Sequence, residues 1–403
     1  MTLSAVFDIM PHALKTREFY TMTTLLLALI YLAFISLGLP DSLLGAAWPT
    51  VHLEFGVPLS YAGLVSAIIC CGTVISSFMS DRLTRRFGAG KVTAFSVGTT
   101  ALALWGFSIS HYFWALCLWA VPYGLGAGSV DAALNNYVAL HYSSRHMSWL
   151  HCMWGVGTAV GATVLGRVLT ATGEWNTGYR YVAWFQIFVT VVLLLSLPLW
   201  KHRTAEGKDA GRALTFREVL TIPGAKEVML MFFCYCTVEQ TAILWGSSYL
   251  VAHGVATDTA ATLASLYCIG ITVGRGINGF LTLRFDDDTL IRAGCVVIAA
   301  GIAAMGFPLP LPLHMAGLVM VGLGCAPIYP CIIHSTPAHF GAENSQAVIG
   351  MQMGSAYIGT LVMPPIFGLI AGWTSSKLLP AYLLLALLAT VILHRRMIRK
   401  TAK

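Results

Sequence analysis

Twelve stretches of this chain are each long and apolar enough to cross a bilayer, and no other feature constrains the fold as tightly. A hydrocarbon core ~30 Å thick needs ~20 mostly apolar residues per helix. Such windows fall at 21–48, 59–80, 90–109, 112–138, 148–171 and 180–200, and again at 225–252, 257–281, 289–307, 313–337, 344–372 and 378–394. Only 10% of the residues are charged, against roughly 25% in soluble globular proteins. A chain with so little charge cannot surround itself with a solvated shell. A soluble domain, a disordered chain, a nucleic-acid module and a secreted disulfide scaffold are disfavoured together.

The expected fold is an all-α membrane protein with twelve transmembrane helices in two sets of six. The expected organisation is an N-terminal segment over 1–20, a first six-helix bundle over 21–200, a linker over 201–224, a second bundle over 225–394 and a basic tail over 395–403. The linker is the longest strongly polar stretch, with Lys201, Arg203, Glu206, Lys208, Asp209, Arg212, Arg217 and Glu218. Of the 24 Lys and Arg, all but Arg167, Arg180, Arg275 and Lys377 lie on or beside one face when the N-terminus is placed in the cytoplasm. The positive-inside rule therefore predicts cytoplasmic termini in a cell (inner) membrane. Lys15 and Arg17 precede the first span without a small-residue cleavage site, which reads as a retained span rather than a removed leader. The ten cysteines fall in apolar runs and are expected to act as small hydrophobes. Cys234 and Cys236 have no partner pattern for a metal, and no cofactor is implied.

An internal repeat emerges when the chain is slid by 198 positions. Leu83, Thr84, Arg86 and Phe87 land on Leu281, Thr282, Arg284 and Phe285, Gly124 and Gly126 on Gly322 and Gly324, and Asp41 on Glu239. Two parallel repeats related by an axis along the membrane normal are the plan of a rocker transporter with its site between the halves.

Three acids fall inside predicted spans: Asp41, Asp131 and Glu239. A central acid costs ~2.5–3.5 kcal/mol on insertion scales, so a chain that keeps three is expected to face them into a wet cavity as proton carriers. The competing reading is that one or more pairs with Arg275 or His151 to hold helices together. Asp131 and Asn135, at i and i+4, share one helical face. His151 suits either a proton relay or a solute contact. Trp48, Trp149, Trp154, Tyr329 and Tyr357 offer aromatic faces to the apolar side of a sugar ring, and Asn135, Asn136, Gln240, Asn278, Gln346 and Gln352 are amides that are costly against lipid. Asn135, His151, Trp154, Gln240, Tyr329 and Gln352 are the expected solute-binding residues.

The turn after the second span reads Ser80-Asp81-Arg82-Leu83-Thr84-Arg85-Arg86-Phe87-Gly88. It resembles the loop 2-3 signature of the major facilitator superfamily, with Thr84 in place of the inner glycine. Its echo, with Arg275 and Arg284, sits where the second copy belongs. The resemblance implies a conformational latch formed by Asp81, Arg82, Arg86, Arg275 and Arg284, whereas the plainer reading is that these residues anchor helix ends. Gly124-Leu125-Gly126-Ala127-Gly128, leading to Asp131 and Asn135, and Gly38-Leu39-Pro40-Asp41 are similar to the fucose-galactose-glucose proton symporter branch. That branch implies that Asp41 and Asp131 couple sugar entry to proton entry. The chain departs from it in carrying His151 and Trp154 where the branch has amides.

The expected function is proton-coupled symport of a sugar or similar small polar solute by alternating access. It is not an enzyme on this reading, and its partners are the solute, protons and the bilayer, with no nucleic acid and a monomer sufficient. Two alternatives stay open: proton-driven efflux of amphipathic compounds, and a non-transporting membrane sensor. The Gly161-Ala162 pair in the fifth span, where a drug antiporter usually carries Gly-Pro, weighs against efflux.

Overall fold

A computed structural model describes residues 12–58, 60–204, 212–255, 257–308 and 310–402. Parts of the expected N-terminal segment (1–11) and linker (205–211) lie outside the described residues. The chain is helical almost throughout: α1 His12–Asp41, α2 Leu43–Glu54, α3 Tyr61–Phe87, α4 Ala89–Ser108, α5 Phe113–His141, α6 Ser144–Thr172, α7 Trp175–Leu195 and α8 Leu197–Thr204. After α9 Phe216–Thr221 come α10 Ala225–Ala252, α11 Thr257–Leu281, α12 Asp287–Gly306, α13 Leu311–Phe340, α14 Ala342–Trp373 and α15 Leu379–Thr401. Among the described residues, ten helical segments, the first of them spanning α1 and α2, are long and apolar enough to cross a membrane. The long helices α4 and α11 complete the set of twelve.

The first span is broken at Asp41 for a local reason. Pro40 has no N–H to give the carbonyl four residues back. That carbonyl, on Ser36, instead accepts from Gln186 Nε2 at 2.6 Å, which satisfies a backbone group that lipid could not. The helix restarts at Leu43, so Asp41 sits at the joint between α1 and α2.

The repeat read from the sequence reappears in how the helices touch. A Cβ on Gly124 would stand 2.2 Å from the Ile69 carbonyl on α3, and one on Gly322 would stand 2.7 Å from the Tyr267 carbonyl on α11. Equivalent glycines thus let equivalent helix pairs approach backbone to backbone. The α1–α6 contact is closer still, since a Cβ on Gly161 would stand 2.0 Å from the Leu39 carbonyl. Gly166, one turn further along α6, has open space around it. Gly161→Ala is therefore expected to lower the unfolding temperature in detergent by the equivalent of about 1–3 kcal/mol. Gly166→Ala should leave it unchanged or raise it, because alanine is otherwise the better helix former.

Within the first six spans α3 packs on α5, α4 on α5 and α7, and α1 on α6, while in the second six α12 and α11 pack on α13 and α10 on α14 and α15. The two sets meet through α3 with α14 and α6 with α11, and through α5 with α13 and α14 and α6 with α13. The hydrogen bonds across this seam gather toward the end at which α1 begins and α15 ends, the termini end. Asn278 Nδ2 donates to Ser148 Oγ at 2.8 Å, Ser345 Oγ to Asn136 Oδ1 at 2.6 Å, and Arg85 Nη2 to the Glu343 carbonyl at 2.7 Å. Asp41, deeper in the molecule, is exposed to solvent. The halves are thus joined by hydrogen bonds at the termini end.

Candidate transport site

Around the joint at Asp41, the first half supplies two carboxylates, each held by named donors. Asp41 Oδ2 accepts from Trp154 Nε1 at 2.9 Å and Oδ1 from Tyr123 Oη at 3.3 Å. Asp131, half-buried, accepts at Oδ1 from Asn135 Nδ2 at 2.8 Å and at Oδ2 from Tyr357 Oη at 2.5 Å. Asn135 is fully buried, and its Oδ1 faces His151 Nε2 at 3.0 Å. Because the asparagine amide already donates to Asp131, its oxygen accepts, and His151 carries its proton on Nε2. The result is a directed chain from His151 through Asn135 to Asp131, closed from the second half by Tyr357. Tyr329, also from the second half, packs edge-on to His151 with ring centroids 4.7 Å apart.

Glu239 lies in a different setting from the other two acids. It is 6% exposed and faces Arg275, itself 3% exposed, with 3.4 Å between Nη2 and Oε1. Tyr235, one helical turn back, also donates to its carboxylate. Arg275 lies over the rings of Trp154 and Tyr329, at 5.9 and 5.7 Å from their centroids. Its Nε is buried without a hydrogen-bond partner. Trp154 thereby stands between Asp41 on one side and Arg275 on the other.

Several expected residues lie elsewhere. Arg275 was expected at the latch, yet it is buried with Glu239 because α11 turns it inward toward α10. Gln352 is fully buried and exchanges hydrogen bonds with Thr336, at 3.0 and 3.2 Å, within the second half. Gln240 is half-buried next to Glu239. At the termini end, Asp81 is joined to Arg85 at 2.8 Å, and it also accepts from the Leu214 backbone N–H at 3.2 Å. Arg82, Arg86 and Arg284 are exposed, and Arg86 lies over the Phe87 ring rather than against Asp81. Helical geometry accounts for the difference: Arg85 is i+4 from Asp81 and shares its face, whereas Arg82 and Arg86 point around the helix. The same spacing rule singles out Tyr235 before Glu239. In the linker, the Thr215 backbone N–H, with its hydroxyl, holds Glu218 below the usual carboxylate range and caps α9.

Residues 30–312 and 228–402 match the family model of the Major Facilitator Superfamily. The chain belongs to the Major Facilitator Superfamily. As a superfamily member it is an integral, multi-pass membrane transporter rather than an enzyme, and it acts on a small-molecule solute. Among curated relatives, it is 24% identical over 285 residues to "Bypass of stop codon protein 6" of Saccharomyces cerevisiae, covering 63% of this chain and 56% of that protein. The chain thus spans little more than half the length of the yeast relative. It is 20% identical over 411 residues to "Probable nitrate/nitrite antiporter NarK1" of Thermus thermophilus, covering 94% and 90%. Among solved structures, the E. coli fucose:proton symporter FucP in its outward conformation superposes with a TM-score of 0.73 at 15% identity, covering 92% of this chain and 98% of that one. That likeness establishes the shared fold.

Proposed function

We propose that this superfamily member moves a sugar or similar small polar solute together with protons by alternating access, with Asp41 and Asp131 as the proton-loading groups. One observation carries the reading: Asp131 of the first half is tied directly to Tyr357 of the second. An ionised carboxylate accepts from both Tyr357 and Asn135. A proton on Oδ2 turns that acceptor into a donor and loosens the tie at mid-depth. Charge at Asp131 and contact between the halves are in this way one variable. Asp41, exposed at the broken first span, takes its proton from solvent. Asn135 and His151 pass the presence of solute to Asp131, while Trp154 and Tyr329 offer ring faces to it. Glu239 is left out of the proton-loading set, since Arg275 already compensates its charge.

The same reading places the termini, with the Lys- and Arg-rich turns, in the cytoplasm of a cell membrane. It divides the chain into six-helix bundles at 21–200 and 225–394 and takes one copy as sufficient. Asp81, Arg85 and the Glu343 carbonyl form the latch at the cytoplasmic end. In proteoliposomes, adding the correct sugar should acidify the lumen. A thermal-shift screen of sugars, organic acids and amphipathic cations at two pH values identifies that solute first. Stabilisation by amphipathic cations alone would turn the reading to efflux, and neither shift nor flux with any compound would turn it to a sensor.

A second reading of the solute rests on Arg275. A buried guanidinium with one nitrogen unpartnered, beside two aromatic faces, suits a carboxylate or other small anion. The relative named as a nitrate/nitrite antiporter points the same way. Stabilisation by acidic sugars in preference to neutral ones would favour it.

A further inference from the structure

At the termini end, away from the carboxylates of the transport site, two oxygens, one from each half, converge on one imidazole. His334, on α13, places Nδ1 2.6 Å from Asp287 Oδ2 and Nε2 3.2 Å from the backbone carbonyl of Tyr142. Tyr142 follows the last residue of α5, so its carbonyl lies beyond the helix ladder and needs a donor from elsewhere. Asp287, the first residue of α12, also accepts from the hydroxyl of Ser144, the first residue of α6. Residues 142 and 144 belong to the first half, 287 and 334 to the second.

Both ring nitrogens of His334 therefore face oxygens, one a carboxylate and the other a carbonyl, and a carbonyl can only accept. A neutral imidazole has one N–H. With that proton on Nδ1, the Nε2 lone pair would point at the Tyr142 carbonyl. With it on Nε2, the Nδ1 lone pair would point at the Asp287 carboxylate. With Asp287 ionised, only the imidazolium satisfies both contacts. We propose that His334 is a proton-binding site separate from Asp41 and Asp131, and that its protonated form closes the termini end by bridging Asp287 to the Tyr142 carbonyl.

The surroundings fit a charge at this place. Asp287 faces it from α12. On α6, His146 lies within electrostatic reach of His334 and carries the neighbouring Arg145 beside it. Cys331, one turn back on α13, is near Asp287 and Ser144. Asp288 is turned the other way, to His394 at 2.9 Å and His339 at 3.5 Å, and leaves Asp287 to His334. Loss of the proton leaves one N–H for two acceptors; the carboxylate, the stronger acceptor, keeps it on Nδ1, so the bond to the Tyr142 carbonyl is lost and a lone pair is set against that oxygen. The closed termini end is thus favoured at low pH and released as pH rises through the titration of His334. Because the opened termini end faces the cytoplasm in the proposed orientation, an alkaline cytoplasm would favour the inward-open state.

The proposal rests on the reading that the halves alternate, and its test separates the two. Nitroxide labels on keto amino acids at positions 82 and 284, both exposed at the termini end, report the separation of the halves by pulsed electron spin resonance. The protein for this test carries Asp41→Asn and Asp131→Asn, so that the central carboxylates do not titrate. The closed-to-open ratio is expected to fall about tenfold between about pH 5.5 and pH 8.5, as for loss of one charge-assisted hydrogen bond. His334→Gln and Asp287→Asn should each flatten that dependence. On protein without these substitutions, ¹⁵N spectra of labelled histidine should show, among the imidazoles protonated on both nitrogens at about pH 6, one signal that is absent in His334→Gln. A ratio that responds to solute but not to pH would overturn the proposal and leave alternation standing. The same pH dependence in His334→Gln, or no doubly protonated imidazole assigned to it, would overturn it as well. A single separation under every condition would overturn both.

Discussion

Asp131→Asn is expected to abolish solute-driven proton movement while solute-for-solute exchange across the membrane survives. Asparagine keeps the shape of the side chain and offers an amide to Tyr357 and Asn135, so the site stays assembled. It cannot take up or release the proton that couples the two fluxes. Net uptake driven by a proton gradient should fall by two orders of magnitude or more, comparable to removing a positioned proton-transfer group. Counterflow of labelled solute should remain within about tenfold of the parent, a limit that corresponds to roughly 1.4 kcal/mol. Loss of both activities together would instead identify Asp131 as a solute contact. Tyr357→Phe, which removes the donor at 2.5 Å from Asp131 Oδ2, should uncouple partially by the same logic.

Glu239→Gln is expected to destabilise the protein sharply. The change leaves Arg275 as a buried charge whose ion-pair partner is gone, and breaking a buried pair from one side costs about 3–5 kcal/mol. The double variant Glu239→Gln, Arg275→Gln removes the charge along with its partner and should recover most of the loss. Thermal unfolding in detergent of the parent, both single variants and the double variant measures the coupling directly. Equal losses that simply add would mean that the two side chains do not act as a pair, whatever the 3.4 Å between them.

What the sequence conveys of this architecture depends on how far along the chain a relationship extends. Span positions were legible because each is settled by the composition of one local window, and lipid leaves the backbone few options besides a helix. The repeat was legible because the same close approach recurs: Gly124 against Ile69 and Gly322 against Tyr267 need glycine for one shared reason. Asp131 and Asn135 follow from helix periodicity alone. Periodicity also singles out Arg85 as the partner of Asp81, where the motif resemblance directs attention to Arg82 and Arg86.

Contacts between distant helices are another matter. Tyr357 is legible as one of several candidate cavity aromatics, but nothing local shows that it reaches Asp131 across 226 positions. Arg275 sits within a motif echo that belongs to a turn, while the rotation of α11 decides that its side chain faces Glu239 instead. His334 and Asp287 are unremarkable as sequence and acquire meaning only where the ends of α5 and α13 meet. These are properties of the seam between the halves, and the seam is set by packing rather than by any window of residues.

The central claim is that Asp41 and Asp131 are hydrated carboxylates whose proton occupancy changes as the transporter works. Infrared difference spectroscopy on the protein in lipid, stepped between about pH 5 and pH 9, observes this without transport, since a protonated carboxyl has a carbonyl band distinct from carboxylate. The account predicts protonated-carboxyl bands that disappear over this range, shift in heavy water and move when solute is added, one lost in Asp131→Asn and another in Asp41→Asn. Spectra in which neither substitution removes a titrating band, or in which the bands ignore solute, would contradict it.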